Sequence, residues 1–135
     1  MKTAVIRRAT FNAAHKLWNK QWTDEKNESV FGLCANQNFH GHNYVLEVKV
    51  IGEIEEDTGY VIDLKILNDM IQENIIEKFD HKNLNLDVVE FYDLNPTAEN
   101  IAVVTYNLLR SCLDYKLDLK IKLYETQNNF VEYPA

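Results

Sequence analysis

Alternating apolar and polar residues near positions 41–54 predict a β-strand. Successive side chains of a strand point to opposite faces of the sheet, so residues of one parity share a face. The residues with the apolar parity are Tyr44, Leu46, Val48 and Val50. A first strand is predicted near positions 3–13, where the apolar residue Phe11 and then Ala13 share one parity. We therefore expect the chain to contain two strands, each with one buried face, before residue 55.

The middle of the chain predicts helices, because apolar residues recur there at spacings of three and four. The first set is Leu64, Leu67, Ile71, Ile75 and Phe79. Asp63 is the expected N-cap, and the polar cluster at 80–83 predicts a loop after the helix. Pro96 and Thr97 open a second helix, with Thr97 as its cap. Its predicted inner stripe is Ile101, Val104, Leu108 and Cys112.

Two further strands are predicted near the C-terminus. The third strand carries an apolar face formed by Leu117, Leu119, Ile121 and Leu123. A turn at Asn128 and Asn129 leads into a short last strand over 130–133. The order ββααββ predicts one α+β domain over residues 1–135, with a four-stranded antiparallel sheet and both helices on one face. Two open sheet edges favour assembly into an oligomer.

Composition and charge narrow the classes of function. The 135 residues carry a net charge of −7, which argues against nucleic-acid binding. No segment approaches a membrane span, and two cysteines are too few for a disulfide framework, so we expect a reduced, cytoplasmic protein. Residues 1–23 contain five cations and no acidic residue. That segment suits an anionic small molecule, although it equally suits the solvated side of a strand.

Three histidines form the first candidate site. His40 and His42 share one face of the second strand, and His15 ends the first strand with the parity of its buried residues. Three imidazoles would leave zinc one open position, which is typical of a catalytic site. A His-x-His pair alone is more often a solvated surface pair. His15 strengthens the metal interpretation, because a polar group that continues a buried stripe needs a partner.

Other polar residues offer acid–base chemistry. Cys34 has three open roles, as a fourth zinc ligand, a reactive thiol or an inert buried side chain. Asp80 and His81 are a candidate acid–base pair, although loop chemistry alone also explains them. Glu125 continues the apolar parity of the third strand, so its carboxylate can accept two hydrogen bonds from a guanidine-like heterocycle or remain a surface residue. Glu99 lies in the first turn of a helix, where the helix dipole favours an acidic residue.

Six motifs carry a family resemblance. They are FNAAH at 11–15, CANQNFHGHNY at 34–44, GYVIDL at 59–64, DHKNLN at 80–85, PTAEN at 96–100 and YET at 124–126. In this order they resemble the 6-pyruvoyl-tetrahydropterin synthase family, over nearly the whole chain. The resemblance implies the tunnelling fold, in which ββααββ subunits form a trimeric antiparallel barrel and two trimers stack into a hexamer. It also implies a lyase that acts on a pterin.

The same resemblance implies roles for individual residues. It implies zinc held by His15, His40 and His42, a base at Cys34 supported by Asp80 and His81, and a pterin pocket at Thr97, Glu99 and Glu125. Animal-type members carry a second threonine where this chain has Ala98. One hydrogen bond to the heterocycle is therefore missing here or supplied by the backbone.

Two products are expected within the family. Pyruvoyl-type enzymes convert 7,8-dihydroneopterin triphosphate to 6-pyruvoyl-tetrahydropterin, whereas relatives in the queuosine pathway make 6-carboxy-tetrahydropterin and release acetaldehyde and triphosphate. The five residues between Cys34 and His40 resemble the pyruvoyl type, whereas Asn-Pro-Thr at 95–97 resembles the other. A folate-pathway branch of the family replaces or supplements the cysteine with a glutamate. Cys34 argues against that branch here, although Glu28 lies near enough in sequence to keep it as an alternative. A non-catalytic pterin- or metal-binding protein is the alternative from another class.

Overall fold

Two long antiparallel strands form the centre of the sheet. In the computed structural model, which describes residues 1–135, β1 (Lys2–His15) pairs with β2 (His40–Glu53) along its whole length. The ladder runs from Lys2 opposite Glu53 to His15 opposite His40. The alternating residues of β2 are buried as predicted, and both strands are confirmed within two residues at each end.

The sheet has five strands, in the order β3 (Lys82–Asn83), β1, β2, β4 (Asp118–Tyr124) and β5 (Phe130–Tyr133). β4 and β5 are the two predicted C-terminal strands, and both pair antiparallel. The additional strand is β3, which pairs parallel to β1. The prediction of four antiparallel strands with a loop at 80–83 was therefore one strand short. Two residues are too few to show an alternating pattern.

The two predicted helices pack on the apolar face of the sheet. α2 (Leu64–Ile71) widens into a π-helical segment (Gln72–Ile76) and ends in α3 (Glu77–Phe79), and α5 (Ala98–Arg110) packs against β4 and β5. Both predicted caps are present. The Asp63 carboxylate accepts the N–H of Lys65 at 2.8 Å, and the Thr97 hydroxyl accepts the N–H of Asn100 at 3.1 Å. Helices and sheet enclose one core of 22 buried apolar residues.

The inner stripes of the helices differ from the prediction at their ends. α5 ends at Arg110, so Cys112 lies in the following turn and is exposed, and its prediction as a core residue was wrong. Leu109 is buried in its place, while Leu108 is only partly buried. Leu64 is exposed in the first turn of α2. The apolar spacing in the sequence continues past the last helical residue, so it does not show where the helix ends. This accounts for the error at Cys112.

Two short helices were not predicted. α1 (Asp24–Phe31) leads into a 3-10 turn (Gly32–Ala35), and α4 (Leu84–Asp87) follows β3. α1 has no apolar stripe, because its one buried residue is Asn27, so periodicity gave no signal. None of the helices is both long and apolar enough to cross a membrane.

Candidate functional site

The three histidines meet at one end of the β1–β2 ladder. His15 lies opposite His40, and Ala13 lies opposite His42. The ring centroids are 4.6 Å apart for His15 and His40, 5.1 Å for His15 and His42, and 5.0 Å for His40 and His42. One ring nitrogen from each residue lies within 4.8 Å of the other two. We call these three residues the histidine cluster.

A backbone carbonyl orients the most buried member of the cluster. The side chain of His15 is 1% exposed, and its Nδ1 lies 2.7 Å from the carbonyl oxygen of Pro96. A carbonyl oxygen only accepts hydrogen bonds, so we assign the proton to Nδ1. The lone pair of Nε2 is then available to the cluster, which is the usual arrangement of a metal-binding histidine.

Unpaired nitrogens show that a metal ion fits this cluster. Nδ1 of His40 and Nε2 of His42 are buried without a hydrogen-bond partner. A buried polar atom left unpaired costs about 1–3 kcal/mol, and a metal ion would remove that cost. Three imidazole nitrogens suit zinc and similar transition metals. The Cys34 thiol is not part of this group of ligand atoms.

Burial keeps two of the three histidines in the form that binds metals. It lowers the pKa of His15 to about 4, an effect that the Pro96 carbonyl opposes and the two other imidazoles strengthen. The pKa of His40 is also lowered, mainly by burial and then by His42, whereas Glu125 raises it. His15 and His40 are therefore neutral at pH 7, as metal ligands must be.

Glu125 lies at the rim of the cluster, directly after β4. Its carboxylate oxygens are 3.8 Å from Nε2 of His15 and 3.9 Å from Nε2 of His42, and its side chain is 27% exposed. A carboxylate in this position can accept two parallel N–H groups from a ligand above the cluster. Beneath it, the hydroxyl of Tyr44 lies 3.4 Å from Nδ1 of His15, and burial raises the pKa of Tyr44, so the phenol stays neutral.

Asparagine side chains fix the chain that follows His15. Asn85 accepts the N–H of Lys16 at 2.9 Å and donates to the carbonyl of the same residue at 3.0 Å. Asn95 accepts the N–H of Trp18 at 3.1 Å, and its own carbonyl accepts a 2.8 Å hydrogen bond from the side chain of Asn100. These bonds hold the 95–97 turn against the 16–18 segment, which keeps the Pro96 carbonyl in place.

Cys34 lies near the cluster in sequence but outside it. The thiol is half-buried in the 3-10 turn, whose backbone is tied to the chain after His15 by a hydrogen bond from the N–H of Leu17 to the Cys34 carbonyl, at 2.7 Å. Gly32, with φ of 57°, ends α1 and opens this turn. Glu28 is exposed on α1 and is not part of the group of candidate ligand atoms.

Asp80 and His81 form a hydrogen-bonded pair away from the cluster. Nδ1 of His81 lies 3.0 Å from the Asp80 carboxylate, which also accepts the N–H of Asn12 at 2.9 Å. The Asn12 N–H and then the His81 imidazole lower the pKa of Asp80. The side chain of His81 is 84% exposed and its φ is 60°, a left-handed conformation that histidine tolerates better than most residues. Within one chain, neither residue forms a hydrogen bond or ion pair with the histidine cluster or belongs to its group of ligand atoms.

The two other predicted pocket residues lie at the start of α5. Thr97 uses its hydroxyl to cap the helix, and the carbonyl before it binds His15. Glu99 is exposed in the first turn, and its side chain forms no hydrogen bond or ion pair. Ala98 is partly buried against the core.

The fold and cluster geometry agree with the similarity to known proteins. Residues 4–135 match the model of the family described as 6-pyruvoyl tetrahydropterin synthase. The chain belongs to this family. It is 46% identical over 129 residues to the 6-pyruvoyl tetrahydrobiopterin synthase of Pongo abelii, covering 96% of this chain and 89% of that protein. It is 31% identical over 144 residues to the 6-carboxy-5,6,7,8-tetrahydropterin synthase of Rickettsia conorii, covering 93% of this chain and 96% of that protein.

A solved structure from the 6-pyruvoyl tetrahydropterin synthase family confirms the architecture. The enzyme of that name from Caenorhabditis elegans matches with a TM-score of 0.93 and 35% identity, over 98% of this chain and 95% of that chain. The predicted α+β tunnelling fold is therefore confirmed, and relatives in this family are lyases.

Sequence reasoning missed several groups that shape the site. The Pro96 carbonyl leaves no trace in a sequence pattern, because every residue has one. Tyr44 was assigned to the core from its parity alone. Asn85 and Asn100 lie in the motifs at 80–85 and 96–100, and asparagine occurs in four of the six motifs. That recurrence was the available signal.

Proposed function

We propose that this chain is a zinc-dependent 6-pyruvoyl-tetrahydropterin synthase. The reaction converts 7,8-dihydroneopterin triphosphate to 6-pyruvoyl-tetrahydropterin with loss of triphosphate, which makes the enzyme a carbon–oxygen lyase. The observation that carries this proposal is the buried histidine cluster with Glu125 at its rim, in a chain that belongs to this family.

The cluster would hold the metal through His15, His40 and His42. Zinc is the proposed ion, because it accepts three imidazoles and keeps a further position for substrate. A bound zinc ion would act as a Lewis acid toward the side-chain hydroxyl groups of the substrate, which makes the adjacent C–H bond more acidic.

Glu125 would anchor the pterin head. The amino-imine edge of a pterin offers two parallel N–H donors, and a carboxylate accepts both. Glu125 lies less than 4 Å from two cluster nitrogens, so a pterin bound there has its side chain beside the metal site. Thr97 and Glu99, at the start of α5, would complete the pocket.

Cys34 would act as the base. Its thiolate would remove the proton from the acidified substrate carbon, after which triphosphate leaves. Asp80 keeps a proton on Nδ1 of His81, so Nε2 of that imidazole is free to exchange protons with the reacting groups. Cys34 and Cys112 are both free thiols, which suits a reducing cytoplasm.

The active form would be a homo-hexamer with pockets between subunits. Each subunit sheet ends in two open edges, at β3 and β5, and Phe130 on β5 is 49% exposed. The exposed His81 is paired with Asp80 but not with the histidine cluster of its own chain, and it would reach the pocket of a neighbour.

A product assay tests the proposal. Zinc-loaded protein incubated with 7,8-dihydroneopterin triphosphate should release triphosphate and yield the 6-pyruvoyl product by mass spectrometry. The sequence Asn-Pro-Thr at 95–97 and the 31% identity to the Rickettsia relative favour a second candidate, 6-carboxy-tetrahydropterin synthase. Acetaldehyde and a 6-carboxy pterin would identify that activity. Saturable pterin binding without turnover would instead indicate a non-catalytic binding protein and refute both.

A further inference from the structure

A groove of about 660 Å³ opens beside the histidine cluster. Two of the residues that line it adjoin the cluster in sequence, and a third adjoins Pro96. Lys16 follows His15, Phe39 precedes His40, and Asn95 precedes the proline whose carbonyl binds His15. Neighbouring Cα atoms are about 3.8 Å apart, so this wall of the groove begins within one residue of the metal site.

The groove contains a cation without an anionic partner. The ammonium of Lys16 lies 4.9 Å from the ring centre of Trp18 and 5.4 Å from that of Phe39, and it forms no ion pair. The second cation, Lys20, has an acidic partner, because its ammonium is 3.7 Å from the carboxylate of Asp93. Lys16 is therefore the free positive charge of the groove.

Amide donors are also free on the same wall. Asn19 uses its side-chain oxygen to accept the N–H of Gln21, which leaves its amide N–H groups without a partner in the chain. The side chain of Gln21 forms no hydrogen bond with the protein. The residues that line the groove thus offer one unpaired ammonium and several amide N–H groups, which suit an anion rich in oxygen atoms.

We propose that this groove binds the triphosphate tail of the substrate, with Lys16 as the principal cation. That the bound group is the triphosphate of this substrate rests on the proposed function. Binding of a polyphosphate by the groove does not depend on the reaction. A substrate whose pterin head binds Glu125 and whose side-chain hydroxyls lie at the cluster has its tail beyond the cluster, and the groove begins within one residue of His15 and His40. The acid-free N-terminal segment, residues 1–23, supplies Lys16 without a competing carboxylate beside it in sequence.

Lys16→Gln in the zinc-loaded, full-length protein tests the proposal directly. Calorimetric titration with inorganic triphosphate should show binding about tenfold weaker than in the wild type, because one charge-assisted contact is lost. The same variant should raise KM for the substrate far more than it lowers kcat, and Lys16→Arg should restore most of the affinity. Binding of dihydroneopterin, which has no phosphate, should be unchanged.

Lys116→Gln is the matched control. It removes the same charge at the opposite end of the sheet, two residues before β4, whose first residue pairs with Ile51. Equal triphosphate affinity in the wild type, Lys16→Gln and Lys116→Gln would overturn the groove proposal even if turnover is normal. Triphosphate binding that depends on Lys16, in a protein that never converts the substrate, would retain the groove and refute the proposed reaction.

Discussion

The histidine cluster and the Asp80–His81 pair are held by the fold in different ways. His15 is 1% exposed, whereas His81 is 84% exposed. The cluster is fixed by two paired strands and by the Pro96 carbonyl. The pair is tied to the body of the protein through the backbone of Asn12, which accepts the N–H of His81 at 2.6 Å and donates to Asp80.

This difference separates metal binding from acid–base chemistry. All three histidines of the cluster come from one chain and lie in the ladder that forms the centre of the sheet, so a single subunit offers a complete set of three candidate metal ligands. The exposed imidazole of His81, by contrast, is not joined to the histidine cluster of its own chain. We therefore infer that the chemistry is completed between subunits, and the following predictions test that division.

His42→Ala should have the largest effect. Two imidazoles remain, so bound zinc measured by elemental analysis should fall from about one per chain to nearly none, and turnover should disappear with it. His81→Ala is the matched control, because it removes an imidazole outside the cluster and should retain full zinc content. Equal zinc loss in both variants would contradict the assignment of the cluster.

Cys34→Ala should separate catalysis from metal binding. Removal of a positioned base typically lowers the rate by ~10²–10⁴, and kcat should fall by that order while zinc content stays near that of the wild type. Cys112→Ala, which removes an exposed thiol after α5, should leave kcat unchanged. If Cys34→Ala loses zinc as completely as His42→Ala does, the thiol is a ligand and the proposed mechanism is wrong.

The metal-free protein should lose stability in mild acid. His15 has a pKa of about 4 when folded and 6.5 when unfolded, so below pH 6.5 the unfolded chain binds a proton that the folded chain excludes. The free energy of unfolding should therefore fall by roughly 2 kcal/mol between pH 6.5 and 5, and by roughly 3 kcal/mol by pH 4. Urea unfolding across this range measures it, and a flat profile between pH 6.5 and 5 would contradict the burial argument.

Glu125→Gln should weaken pterin binding rather than folding. The amide places an N–H₂ group against the donors of the pterin, and losing a charge-assisted pair is worth ~1.5–3 kcal/mol. Fluorescence titration with a pterin analogue should show that loss in the zinc-loaded protein. Glu132→Gln, a change of the same chemistry on β5, serves as the control. If Glu125→Gln bound the pterin analogue as tightly as the wild type, Glu125 would not anchor the pterin and would be an ordinary surface residue at the end of a strand.

Asn100→Ala should have the smallest effect. It removes the 2.8 Å hydrogen bond that holds the 95–97 turn and thereby the Pro96 carbonyl, at an expected cost of about 1 kcal/mol. The loss should appear as severalfold weaker zinc binding, with the visible spectrum of the cobalt-substituted protein shifted. Asn107→Ala, an exposed position on the same helix, should change neither. A cobalt spectrum and zinc affinity identical to the wild type would rule out the positioning role.

The sequence predicted the elements in which apolar residues recur at a regular spacing. Alternation located β1 and β2 and placed His15 with His40 and His42, because a strand keeps the parity of its side chains over many residues. β3 has only two residues and α1 lacks an apolar stripe, so neither gave a periodic signal. The hydrogen bonds of Asn85 and Asn95 join positions 69 and 77 residues apart, and such distant pairs become visible only in the folded chain.

Mixed oligomers test the division between subunits most directly. His42→Ala and His81→Ala are each expected to be inactive, the first for want of metal and the second for want of its acid–base group. Mixed after reversible dissociation, they should recover about a quarter of wild-type turnover, because that share of random pockets combines an intact cluster with an intact neighbouring His81. Activity that stays at the level of the separate variants, in hexamers shown to be mixed, would place both groups in one chain and contradict the account.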